Sequence, residues 1–141
     1  MKRKLTARFF ARPTLIVARD LLGKYLVARP HTKRSYGVGV KRRGKTLSGK
    51  IVETEAYIGE DDLACHASKG RTPRSETLYK KPGTLYVYLI YGMYWCLNIV
   101  TERADFPAAV LVRAVEPKEG IETMKKLRKT AVLHDLASGP G

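Results

Sequence analysis

The chain has 141 residues, 44% of them apolar and 28% charged, with a formal net charge of +14. A chain of this length buries a little under ~70% of its unfolded surface, enough for one hydrophobic core, and its composition excludes a disordered or fibrous protein. No apolar run spans a bilayer, two cysteines are too few for a secreted disulfide framework, and the basic start MKRKLTARFFARP lacks a signal-peptide core.

An intracellular protein is therefore expected, in cytoplasm or nucleoid, or in a nucleus, with no membrane partner. The charge is unevenly placed: residues 1–50 hold 15 Lys and Arg against one acid, Asp20, whereas residues 51–141 hold 12 of each sign. A field of that size draws polyanions, nucleic acid first and anionic membrane next. The alternative is a basic solubilising surface or tail.

Thr14, after Pro13, precedes Leu15, Ala18, Leu21 and Leu22, and Gly23 follows, which predicts a short amphipathic helix with a glycine stop. KYLVA (24–28) reads as a strand. Residues 30–46, with glycines among basic clusters, read as a loop or exposed hairpin and part of the electrostatic footprint. Leu47–Tyr57 alternates. Leu47, Gly49, Ile51, Glu53, Glu55 and Tyr57 fall on one face, and Ser48, Lys50, Val52, Thr54 and Ala56 on the other. A long polar connection follows, of a length that is usually functional or disordered. Residues 84–90 and 93–101 are β-branched and aromatic runs around Tyr91-Gly92, so a hairpin with Tyr91 at its tip is predicted. AAVLVRAV (108–115) is a third strand carrying Arg113, and residues 117–128 show helical spacing. Together these predict an α+β fold, a single domain over residues 1–141 built around an antiparallel sheet.

Glu55 reads in two ways: half of an ion pair with Arg113, or a general base, since a carboxylate near phosphates is electrostatically costly and persists where a water must be activated. Tyr91 at a hairpin tip reads as a wedge or stacking platform for nucleobases. Tyr86, Tyr88 and Tyr94 read first as core, Glu60, Asp61 and Asp62 as a solvated loop, and Glu53 as a structural carboxylate with an unassigned partner. His66 is ordinarily a surface or hydrogen-bonded core residue. Asn98 must find hydrogen bonds if buried. Cys65, Cys96, His31, His66 and His134 lack close metal-ligand spacing, so no metal and no cofactor is expected.

IVETEAY (51–57), His66, RTPR (71–74), KPGTLYVYLIYGMYWCLN (81–98), VLVRAVEP (110–117) and SGPG (138–141), in this order, resemble the alkyladenine (3-methyladenine) DNA glycosylases of base-excision repair. The resemblance runs from about Phe9 to Gly141. It implies a curved antiparallel sheet with flanking helices and a protruding β-hairpin. It implies that Glu55 activates the hydrolytic water and that Arg113 helps to place it. Tyr91 would intercalate into the duplex. Tyr57, His66 and Tyr88 would wall the pocket of the flipped base, with Asn98 on its floor, excluding guanine-like bases. The implied partner is double-stranded DNA containing alkylated or deaminated purines, bound by a monomer, and the implied product an abasic site without strand cleavage. Two features depart from the family pattern. Residues 30–46 are longer than expected, and family members continue past SGPG, so the chain is expected to lack the family's C-terminal part. A truncated nucleic-acid-binding module without catalysis stays open, as does a sheet domain associated with acyl or formyl transfer.

Overall fold

The fold is that of a computed structural model, which describes residues 3–29 and 44–138. The elements are, in order, α1 (Ala7–Phe10), α2 (Thr14–Leu21), β1 (Tyr25–Ala28), β2 (Leu47–Ile58), β3 (Leu85–Ile90), β4 (Tyr94–Val100), β5 (Ala108–Glu119) and α3 (Ile121–Arg128). Single 3-10 turns lie at His66–Lys69, Glu76–Tyr79 and His134–Leu136. The strands form one antiparallel sheet in the order β1-β2-β5-β4-β3. The predicted α+β architecture is the one observed. Most of the basic segment 30–46 and all but the first residue of SGPG lie outside the described residues.

Successive strand residues go to different cores. Ala56, Val110 and Ile99 pack with α2, while their neighbours Tyr57, Ala109 and Val100 pack with the long connection. Side chains alternate across a pleated strand, so these are the two faces of the sheet. On α2 the buried stripe is Thr14, Val17, Ala18 and Leu21. Leu15 and Leu22, predicted to belong to it, are exposed. The helix docks with Val17 inward because Thr14 is tied down: its hydroxyl donates to Glu102 Oε1 at 2.7 Å, and its N–H reaches the same oxygen at 3.2 Å. That carboxylate caps the helix N-terminus from the β4–β5 turn. Gly23, at φ +80°, ends the segment as predicted.

The strict alternation predicted for β2 does not hold over its whole length. Ile51 pairs with Val115, Glu53 with Ala114 and Thr54 with Val112, so Val52 on one strand and Arg113 on the other are left out of register. Two paired irregularities shift the parity of both strands. Ile51 consequently lies in the α2 core with Ala56, not on the face of Tyr57. Residues 117–119, expected to open the last helix, extend β5, and α3 starts after Gly120 at φ +77°. A Cβ on Gly120 would stand 2.4 Å from Leu47 Cδ2 and 2.8 Å from the Thr46 carbonyl, so the turn requires glycine. Pairing with β2 outweighs the helical spacing of 117–128 here.

The β3–β4 hairpin pairs from Leu85–Ile99 out to Ile90–Tyr94 and closes through Tyr91, Gly92 and Met93. The turn is three residues long rather than two. Tyr91 sits at its tip, as predicted, with φ +53° and 72% of its surface exposed. β4 and β5 pair only from Asn98–Leu111 to Val100–Ala109. Beyond that the strands part, and Ser138 bridges to Ala114.

Candidate active site

The sheet face away from α2 carries the site. Across it, Tyr57 on β2 sits opposite Ala109 on β5, and Tyr86 on β3 opposite Asn98 on β4. β2 and β3 are three strand spacings apart, ~14 Å at ~4.8 Å each. The two intervening strands present small or buried residues there, Ala109 and Asn98. Aromatic walls thus rise on either side of a low floor. The long connection closes a third side with Cys65, His66 and Leu78. Tyr57, His66, Tyr88 and Asn98 therefore line one hollow.

The connection is held by polar groups, two of its acids among them. Asp62 accepts from the Ile58 and Ala64 N–H groups, both at 3.0 Å, and Glu60 accepts from the Tyr79 hydroxyl at 2.6 Å. Glu60 and Asp61 are exposed, as expected of a solvated loop, and Asp62 is half-buried; Glu60 and Asp62 also anchor the connection. Buried Ser75 donates to the Gly70 carbonyl at 2.8 Å. Arg71 pairs with Glu76 and Asp105 and lies over the Tyr79 ring. These ties, together with buried Cys65, Ala67, Leu78 and Tyr79, make a long connection into a wall of the pocket.

His66 Nδ1 and the Tyr86 hydroxyl are 2.7 Å apart. The His66 and Tyr88 rings meet edge to face with centroids 4.5 Å apart. Burial, with the Arg74 charge as a second cause, pushes the His66 pKa down, so the imidazole is neutral at pH 7. Burial also pushes the Tyr88 phenol up to about 12, helped by Cys96. Arg74 stands over the Tyr88 ring at 5.8 Å. Asn98 is buried and donates to the Tyr86 carbonyl at 3.3 Å. These groups line a half-open hollow of about 40 Å³, room for a water molecule.

Glu55 stands at the β2 side of this pocket, on the same face as Tyr57. Its Oε2 accepts a hydrogen bond from the Tyr57 hydroxyl, and its Oε1 lies 3.5 Å from Arg113 Nε. The same nitrogen is 3.8 Å from Glu53 Oε1. The irregularity that leaves Arg113 out of register puts it between the two carboxylates. The expected Glu55–Arg113 proximity is observed, and Glu53 gains the partner that its sequence context left unassigned. Both are partly solvated, so the ion pairs contribute little stability. Their effect is on orientation.

Tyr91 lies outside the pocket, at the hairpin tip beside exposed Met93 and near exposed Trp95. Sequence reasoning missed Arg74, which lies in a polar loop with no periodic signal. It treated Tyr86 as core, which it is, but not as the partner of His66. The i, i+2 spacing of Tyr86 and Tyr88 on one strand was the available clue.

The sequence model of the methylpurine-DNA glycosylase (MPG) family matches residues 8–141. The chain belongs to the methylpurine-DNA glycosylase family. Its relatives include chains named "Putative 3-methyladenine DNA glycosylase" from Methanocella arvoryzae (56% identical over 134 residues, 94% of this chain and 61% of the relative). Others come from Prosthecochloris aestuarii (52% over 133 residues, 94% and 59%) and Clostridium perfringens strain SM101 (52% over 136 residues, 96% and 60%). The chain thus spans about three fifths of the length of these relatives. Among its described residues no helix is long and apolar enough to cross a membrane.

Proposed function

We propose that this chain carries the base-binding and hydrolytic centre of a monofunctional DNA glycosylase that releases alkylated or deaminated purines from duplex DNA. The observation that carries this is the contact of Glu55 with Arg113 and with Tyr57, which itself lines an aromatic pocket floored by Asn98. Membership of the family and the names of the relatives support the same reading.

A base inside a duplex is out of reach of such a pocket, so it is extruded, at a cost of a few kcal/mol. Stacking returns ~1–3 kcal/mol per base on an aromatic surface. Tyr57 on one side, His66 and Tyr88 on the other, and Tyr91 in the vacated stack together about offset the extrusion. Damaged or mispaired bases cost less to extrude and are selected at this step. A purine alkylated on a ring nitrogen is cationic, and an electron-rich pocket attracts it by ~0.5–2 kcal/mol. A neutral His66 does not oppose that charge. Asn98 offers polar atoms at the floor that discriminate between purines.

At the sugar, the Glu55 carboxylate accepts a proton from a water as that water's oxygen bonds to the anomeric carbon. The carbon–nitrogen bond breaks, and its electron pair neutralises the charge of an alkylated purine; a neutral deaminated purine takes up a proton from solvent as it leaves. The sugar is cation-like in the transition state, by analogy with glycoside hydrolysis, and the Glu55 charge stabilises it. Arg113 keeps the carboxylate aimed. General-base action of this kind is worth ~10²–10⁴-fold.

The small volume of the free cavity favours a second reading, a module that binds nucleic acid through charge and Tyr91 without excising anything. Incubation with duplexes carrying 3-methyladenine, 7-methylguanine, hypoxanthine or ethenoadenine separates the two. Release of free base, an alkali-labile abasic site and no borohydride-trapped adduct is expected. Tight binding without base release overturns the hydrolase in favour of the module.

A further inference from the structure

Tyr57 meets Glu55 through its hydroxyl, whereas pocket walling uses only its ring. Two residues apart on one strand face, the two side chains start ~7 Å from each other, the span a tyrosine bridges from Cα to hydroxyl. The hydroxyl donates to Glu55 Oε2, and Arg113 approaches Oε1. We propose that Tyr57 is a positioning residue for Glu55, whose carboxylate it and Arg113 hold from opposite oxygens so that it faces the pocket in one orientation.

A glutamate has three side-chain torsions and loses much freedom when its carboxylate is fixed. Arg113 alone does not fix it, because Arg113 is shared with Glu53. The phenol is suited to the task. Burial first, then the Glu55 carboxylate itself, hold its pKa far above the ordinary tyrosine value, so it donates at every working pH. The groups facing the pair are Arg113 from β5, with Glu53 beyond it, Tyr88 from β3 and Asp62 from the connection. The arrangement couples two events. The ring whose face meets the extruded base is the ring whose edge aims the carboxylate, so a base that displaces Tyr57 also turns Glu55. Correct stacking and correct aim are then reached together.

This inference rests on the hydrolytic reading of Glu55, and the tests keep the two apart. Tyr57→Phe keeps the ring and removes the hydroxyl. Under saturating enzyme its single-turnover excision is expected to fall about tenfold, the scale of one hydrogen bond to a charged group, with affinity for the lesion duplex unchanged. Excision at the wild-type rate overturns the proposal, and so does a loss of affinity matching the loss of rate. The second arm needs no activity. With ¹³C-labelled tyrosine, the Tyr57 ζ-carbon resonance at neutral pH is expected to differ between Glu55→Gln and the wild type, because the hydroxyl loses its carboxylate acceptor. An unchanged resonance overturns the contact itself. A wild-type chain that releases no base, with the Tyr57 resonance shifted as expected, would count against the hydrolase and leave the contact standing.

Discussion

Glu53 and Glu55 are the same residue type two positions apart, and both reach Arg113, at 3.8 and 3.5 Å. Alternation in the sequence does not separate them, and the ion pairs barely do. Tyr57 separates them, because its hydroxyl serves only Glu55. The sequence contained that clue, since Glu55 and Tyr57 share a strand face, but the length of a tyrosine had to be set against the strand rise to use it. His66 was less legible. Its neutrality comes from burial and from Arg74, in a loop without periodicity. The unfolded chain binds a proton at His66 more readily than the folded one, so stability falls as pH drops below the ordinary histidine value of ~6.5 toward the lowered folded one. Thermal unfolding followed from pH 7.5 to 5.5 is expected to show this decline, and His66→Gln to flatten it. An equal decline in the variant would assign the effect to other groups.

Among the elements, helix α2, the strands and the hairpin were readable because each has a periodic signal and a glycine or turn residue at its end. The paired irregularity at Val52 and Arg113 was not, since it arises from how β2 and β5 fit each other and leaves no mark in either strand alone. The same fit carries β5 to Glu119, past the helical spacing that suggested otherwise. At the hairpin, Tyr91 adopts φ +53°, a left-handed backbone that disfavours any residue with a Cβ by ~1–2 kcal/mol. That a tyrosine stays there fits a role outside the fold. Tyr91→Gly is expected to leave the unfolding midpoint unchanged or raised while lesion affinity falls at least about tenfold, as loss of a ring worth ~1–3 kcal/mol implies. A lowered midpoint would show that the ring packs on the protein instead.

At the scale of the whole molecule, charge and chemistry occupy different parts of the chain. The excess of positive charge lies in residues 1–50, and the pocket residues lie between 55 and 113. Binding to the phosphate backbone should therefore be strong, insensitive to the lesion and dependent on salt. Three or more phosphate contacts predict a slope of log K against log salt steeper than about −2.7, measurable by anisotropy on undamaged duplex. A flat dependence would assign the basic segment to another task. Whether this charge-driven binding ends in bond cleavage turns on one carboxylate. The most direct measurement is single-turnover release of a damaged purine by the wild type and by Glu55→Gln, with affinity measured in parallel. Equal affinity with release at least ~10²-fold slower in the variant is the predicted result, and release at the wild-type rate by Glu55→Gln would contradict it.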